Sequence, residues 1–220
     1  MTPYALESLL DGTDAVVRGN LAPDTVFTSI QRDARQAKPG ELFIALRGER
    51  FDGHDFVSDA AAAGADAALV SRAWADEHLD APLPLLVVED PLITLQQYAA
   101  WWRNRLPDLL VVGITGSVGK TSTKETVATV LQRAGETYRS PGNLNSEIGL
   151  PLSLLEVRPE QYAAVLEMGG AYAFGEIRLL CEIARPRIGV VTNIHPVHLE
   201  RMGTIEAIAE TKAELVDAIP

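Results

Sequence analysis

Two kinds of apolar spacing take turns along the chain. Compact apolar runs at 15–18, 26–30, 42–46, 67–70 and 83–88 read as strands, the last bracketed by Pro82, Pro84 and Asp90-Pro91. Helical spacing fills the gaps between them. Residues 4–10 are amphipathic and stop at Asp11-Gly12, and 54–64 puts Phe56, Val57 and Ala60 on one face and stops at Gly64. Leu95, Tyr98, Ala99 and Trp102 predict a helix over 92–106, ended by Pro107, with the stripe as its core face. The alternation then repeats: strand 109–112, helix 126–133, strand 137–138, a Gly-, Pro- and Asn-rich loop over 140–151, strand 163–167, helix 175–184, strand 188–193 and helix 205–219. Such a pattern predicts an α/β fold. A small α/β domain spans 1–90, a connecting helix 91–107, and a mostly parallel sheet flanked by helices 108–220. A doubly wound sheet normally goes on to further strands, so the stretch ending at Pro220 reads as the front part of a longer protein.

Composition narrows the possibilities. With 220 residues, 47% hydrophobic and 22% charged, the chain suits a soluble globular protein with room for two modest domains. A formal net charge of −11 and no basic stripe argue against a nucleic-acid partner, while a locally positive loop can still take a phosphate. A single cysteine, Cys181, excludes an internal disulfide framework and suits a reducing cytoplasm; it reads as a small buried hydrophobe. No basic segment opens the chain as in a secretion signal, and no apolar run nears the ~20 residues of a membrane helix. A cytoplasmic protein without membrane insertion is expected.

The chemistry concentrates where the strand at 109–112 breaks into Thr115-Gly116-Ser117-Val118-Gly119-Lys120-Thr121-Ser122. Strand, glycine loop and helix is the arrangement that wraps a nucleotide phosphate: backbone N–H groups and a helix N-terminus attract the anion, and the lysine adds a full charge. The hydroxyl after the lysine can ligate Mg²⁺. The usual loop has an earlier glycine, where Ile114 stands. Glu167 ends the next long strand, and ligands gather at the carboxyl ends of parallel strands, so an oxygen-ligated metal beside the phosphates is expected there. Asn193, His195 and His198 follow the strand after that, and Asn143, Asn145 and Glu147 give the 140–151 loop the makings of a polar rim. By spacing alone Lys212 belongs to the solvated face of the last helix.

These motifs together resemble a family. The 115–122 loop is similar to the ATP loop of the Mur ligases, which also lack the early glycine. Gly142 to Pro151, Leu166-Glu167-Met168-Gly169-Gly170, and the run from Asn193 through His198-Leu199-Glu200 and Gly203-Thr204 to Lys212 resemble further segments of that family in the same order. Residues 32–48 resemble its UDP-binding domain, with Ala34 where Ser or Thr is usual and Val197 where sister ligases often place Asp.

The resemblance implies a monomeric, ATP- and Mg²⁺-dependent amide ligase of peptidoglycan precursor synthesis. The segment Asn145-Ser146-Glu147-Ile148-Gly149-Leu150-Pro151 points to the branch that joins D-alanyl-D-alanine to UDP-MurNAc-tripeptide through an acyl phosphate. On this matching, Thr115, Gly116, Ser117, Val118, Gly119, Lys120, Thr121 and Ser122 hold ATP and Asn193 lies near the adenine. Thr121 ligates one Mg²⁺, Glu167 and His198 ligate a second that a carbamylated Lys212 helps to hold, and Lys120, Glu167, His198 and Lys212 serve the chemistry. Ser29, Asp33, Arg35, Asn143 and Asn145 line the UDP-substrate path. The family's third domain has no counterpart in this stretch, so the chain alone is expected to be inactive as a ligase. A sister ligase adding a single amino acid and a non-catalytic nucleotide-binding module are the alternatives.

Overall fold

The computed structural model describes residues 2–48, 50–170, 173–196 and 199–220, and divides the chain into two compact units, Met1–Tyr98 and Ala99–Pro220. The first unit is built from α1 (Leu6–Gly12), β1 (Val16–Arg18), β2 (Ile30–Gln31), β3 (Leu42–Ile44), α2 (Val57–Ala63), β4 (Ala67–Ser71), α3 (Arg72–Glu77) and β5 (Leu85–Val88). Helix α4 (Pro91–Asn104) begins in this unit and ends in the second. The sheet runs in the order β1-β5-β4-β3-β2; its strands are parallel except β1, which closes the β5 edge antiparallel with Val16 opposite Val87. Phe43, Ala68, Val70, Leu85 and Val87 of the sheet pack on Val57 and Ala60 of α2. Gly64 ends α2 at φ +112°, a left-handed turn that few other residues tolerate.

The expected strand at 26–30 survives only as Ile30–Gln31, with Val26 making an isolated bridge to Ala5. The apolar spacing does not predict helix α3, which is six residues long; Ser71 caps it by accepting from Trp74 N. The start of the expected 54–64 helix is a 3-10 turn over Gly53–Phe56, capped by Asp52. Here a buried histidine is fully matched: His54 Nδ1 lies 2.6 Å from Asp52 Oδ1, and its Nε2 accepts from Ser71 N at 2.9 Å. Arg47 closes the far side of the same carboxylate at 2.8 Å.

Burial alone would raise the Asp52 pKa, but the His54 and Arg47 donors outweigh it and hold the carboxyl at about 2. Because the charged form is favoured in the fold, its contribution is complete above the ordinary carboxylate range and is lost as pH falls toward 2. Urea unfolding of the wild type should therefore show stability falling between about pH 4 and pH 2. Asp52→Asn should flatten that slope, and an identical acid slope in the variant would refute the assignment.

The second unit contains β6 (Leu110–Thr115), α5 (Lys120–Leu131), β7 (Thr137–Arg139), α6 (Gly149–Leu155), β8 (Ala163–Glu167), α7 (Glu176–Ala184), β9 (Ile188–Val191), α8 (Leu199–Met202) and α9 (Ile205–Asp217). Its four strands are all parallel, in the order β7-β8-β6-β9. Alternation along β6 serves the two faces of the sheet. Val112 and Ile114 pack with Ala128 of α5 and Val165 of β8. Gly113 faces the other way, where an added Cβ would lie 3.0 Å from Met168 Sδ and 3.1 Å from Leu215 Cδ1. Trp102 and Arg103, from the end of α4, are anchored in this unit: Trp102 Nε1 donates to Val157 O at 3.0 Å and Arg103 Nε to Ala184 O at 2.9 Å. Cys181 is buried as expected, and burial pushes its thiol up to about 12. Among the described residues, no helix is long and apolar enough to cross a membrane.

Candidate nucleotide-binding site

The site lies at the carboxyl ends of β6, β8 and β9. Ile114 is fully buried and belongs to β6, which accounts for the missing early glycine: the chain stays in the sheet and turns at Gly116 instead. Gly116 has φ +136° and Gly119 φ +85°, both conformations that favour glycine. A Cβ on Gly116 would collide with Thr192 Oγ1, whereas one on Gly119 would meet nothing within 4 Å.

The end of β9 ties this loop down. Asn193 spends both ends of its amide on Val118, Nδ2 donating to Val118 O and Oδ1 accepting from Val118 N, each at 3.0 Å. Thr192 Oγ1 donates to the same carbonyl at 2.7 Å, and Ser117 N donates to Asn193 O at 3.0 Å. His195 N reaches Ser117 Oγ at 2.9 Å. Asn193 thus clamps the loop, and the N–H groups of Ser117 and Val118 serve that clamp. Thr115 is fully buried, and its carbonyl accepts from Thr192 N at 3.0 Å. The amides left for an anion are those of the first turn of α5, which have no acceptors within the helix and sit at its positive end.

Helix α5 starts at Lys120 rather than near 126. Its opening turns are polar because they face the site, so apolar periodicity could not reveal them. Lys120 Nζ lies inside the curve of the loop, donating to Gly116 O at 2.8 Å. Thr121 Oγ1 donates to Glu167 Oε2 at 2.8 Å, and Asn145 Nδ2 donates to the other oxygen, Oε1, at 2.9 Å. Glu167 is buried, and its own N–H donates to Ser140 Oγ at 3.2 Å.

Lys212 is buried at 4% exposure, which corrects the solvated position expected from spacing. Its face of α9 turns inward, where Nζ donates to Gly170 O, three residues past Glu167. Burial first, and then the nearby positive charge of Lys120, lowers its pKa to about 8 against the opposing pull of Glu176 and Glu214.

Other expected residues make contacts of their own. Asn143 is exposed, and its carbonyl accepts from Asn145 N at 2.8 Å; Ser122 O accepts from Thr126 Oγ1 within α5. Ser29, Asp33 and Arg35 belong to the first unit. Ser29 Oγ donates to Glu41 at 2.8 Å, and the Arg35 guanidinium grips Asp33, holding that carboxyl well below the usual range. His198 lies outside the described residues. Sequence reasoning missed Lys124, Ser140 and Thr192. A signal existed for Lys124: it stands four residues after Lys120, on the same side of one helix.

The donors suit Mg²⁺. A hydroxyl and a carboxylate converge at 2.8 Å, and both are hard oxygen ligands. Among the described residues, no three His, Cys, Asp or Glu side chains gather as a cage. Mg²⁺ typically takes one or two carboxylates and completes its shell with water and substrate phosphates.

The Mur ligase middle domain matches residues 114–220, and the Mur ligase family catalytic domain matches residues 26–102. The chain belongs to the Mur ligase family. It is 40% identical over 220 residues to the UDP-N-acetylmuramoyl-tripeptide--D-alanyl-D-alanine ligase of Escherichia coli, and 43% identical over 197 residues to that of Synechocystis. These alignments cover 100% and 90% of the chain but 46% and 42% of the relatives, so the chain spans just under half of their length. Among solved Mur ligases, MurF from Acinetobacter baumannii superposes with a TM-score of 0.88 at 35% identity, covering 99% of this chain and 47% of that one. MurF from Thermotoga maritima, in complex with ADP, gives 0.72 at 36% identity over 87% of this chain and 43% of that one. The fold class expected from the sequence, α/β with a parallel sheet flanked by helices, is that of these structures.

Proposed function

We propose that this chain forms the UDP-substrate and ATP-binding part of a ligase that joins D-alanyl-D-alanine to UDP-MurNAc-tripeptide. The observation that carries the reading is the 2.8 Å contact between Thr121 and Glu167, which unites the phosphate loop with a strand-end carboxylate. Lys120 and the first-turn amides of α5 hold the β- and γ-phosphates, concentrating positive charge where two anions must meet. Thr121 and Glu167 hold Mg²⁺, with His198 completing the set on family matching. Bound Mg²⁺ would screen the phosphates. Attack of the tripeptide carboxylate on the γ-phosphorus would break its bond to the β–γ bridging oxygen and release ADP. Attack of the dipeptide amine on the resulting acyl phosphate would expel phosphate as the amide forms. Lys212 is the candidate for carbamylation: with its pKa lowered to about 8, it keeps a larger neutral, nucleophilic fraction near neutral pH than a solvated lysine. Asp33 and Arg35 stand just beyond β2, at the carboxyl edge of the first sheet, and with Ser29 they would line the UDP-substrate path. Residues outside this span would hold the incoming dipeptide, since the relatives are about twice as long.

Calorimetric titration tests the reading. The chain should bind ATP with Mg²⁺, and should bind UDP-MurNAc-tripeptide, without turning them over. Failure to bind either ligand would refute the assignment, and ADP release dependent on both substrates would refute the division of labour.

A further inference from the structure

Lys124 is a buried charge that the proposed chemistry does not use. It lies one helical turn beyond Lys120 in α5, with a side chain 1% exposed. Its ammonium donates to Ser140 O at 2.6 Å and to Gly142 O at 3.3 Å, and Glu125 Oε1 is 3.7 Å away. Taking an ammonium out of water costs several kcal/mol unless it is well matched. An apolar side chain of similar length would fill the space without that cost. What the ammonium adds is its grip on the segment 140–142.

That segment leads directly to Glu167. Ser140 Oγ accepts from Glu167 N at 3.2 Å. Three residues beyond Gly142, Asn145 Nδ2 donates to Glu167 Oε1 at 2.9 Å, and Asn145 O accepts from Gly169 N at 2.7 Å. The two segments touch closely enough that a Cβ on Gly169 would lie 2.8 Å from Asn145 O. The other oxygen of Glu167 takes the hydroxyl of Thr121, three residues before Lys124 in the same helix. These links close a ring: α5 reaches Glu167 directly through Thr121, and again through Lys124, the 140–145 segment and Asn145.

We infer that Asn145 and Lys124 are positioning residues for Glu167. Asn145 holds one carboxylate oxygen so that the other is presented to α5, and Lys124 fastens the segment bearing Asn145 to the helix that supplies Lys120 and Thr121. The inference rests on reading the site as one for a Mg²⁺-nucleotide, and it moves Asn145 from the UDP-substrate path to the carboxylate.

ADP affinity of the full 220-residue chain, measured by calorimetry with Mg²⁺ and again with EDTA, tests it. Lys124→Met and Asn145→Ala should each reduce the Mg²⁺-dependent gain in affinity about ten-fold or more, as loss of a ligand-orienting group typically does. Both should leave the EDTA affinity within about two-fold of wild type, because the phosphate loop is untouched. The double variant should lose little more than the weaker-binding single variant, since both act through one carboxylate. Equal losses with and without Mg²⁺, or a wild-type Mg²⁺ gain in the variants, overturn the inference. Should Lys124→Met fail to fold on thermal melting, Asn145→Ala decides alone by the same criterion. A wild-type chain that binds ADP no better with Mg²⁺ overturns instead the underlying reading of the site.

Discussion

Lys120→Met should weaken ATP binding by about 100-fold while leaving the thermal midpoint unchanged. The magnitude follows from what the ammonium supplies: a charge-assisted hydrogen bond is worth about 1.5–3 kcal/mol, and each 1.4 kcal/mol is about ten-fold in affinity. The stability expectation follows from its partners, Gly116 O and Ser117 O, both within the loop that the lysine itself closes. Both of those bonds fall inside the loop, and methionine is about as good a helix former as lysine. Isothermal titration with ATP and Mg²⁺, paired with a melting curve, checks both halves. An unchanged affinity would remove Lys120 from the phosphate cup.

Gly116→Ala should destabilise the second unit far more than Gly119→Ala. Both glycines have positive φ, so both substitutions bear a conformational cost of about 1 kcal/mol. At Gly119 that is the whole effect, because the new methyl meets open space. At Gly116 the methyl collides with Thr192 Oγ1 and crowds Thr192 N at 3.0 Å, adding an overpacking cost of about 1–3 kcal/mol. The hydroxyl it displaces is the one that holds Val118 O. The melting temperature should fall on the order of 10 °C for Gly116→Ala and a third of that for Gly119→Ala. Equal effects at the two positions would mean that Thr192 moves aside freely and that the clamp on the loop is weak.

Much of this architecture was legible in the chain. The strand Ala163–Glu167 was readable because an unbroken apolar run ends in a single carboxylate, and burial on both faces of a parallel sheet demands that run. The loop 115–119 was readable because left-handed turns select glycine. Helix α6 was not, because Gly149 and Pro151 resemble loop residues; yet Pro151 falls in the first turn, where its missing N–H has no intrahelical acceptor to lose. Contacts between distant segments were the hidden part. Nothing along the chain says that Asn193 would spend its amide on Val118, and apolar spacing sets Lys212 on the solvated face, where only the family resemblance points it inward. Those outcomes depend on which strands lie side by side, and period alone does not specify strand order.

Strand order also sets the scale of the pocket. Strand β6 is hydrogen-bonded to β8 on one side and β9 on the other. Neighbouring strands lie about 4.8 Å apart, so the sheet works as a ruler whose three adjacent marks span about 10 Å. Glu167 stands at one outer mark, the phosphate loop at the middle, and Thr192 and Asn193 just past the other. On the proposed reading, the width available to a polyphosphate and its ion would be set by backbone ladders, which side-chain substitutions leave in place. Changes at these positions can alter what is gripped and how strongly, but not the gauge of the opening.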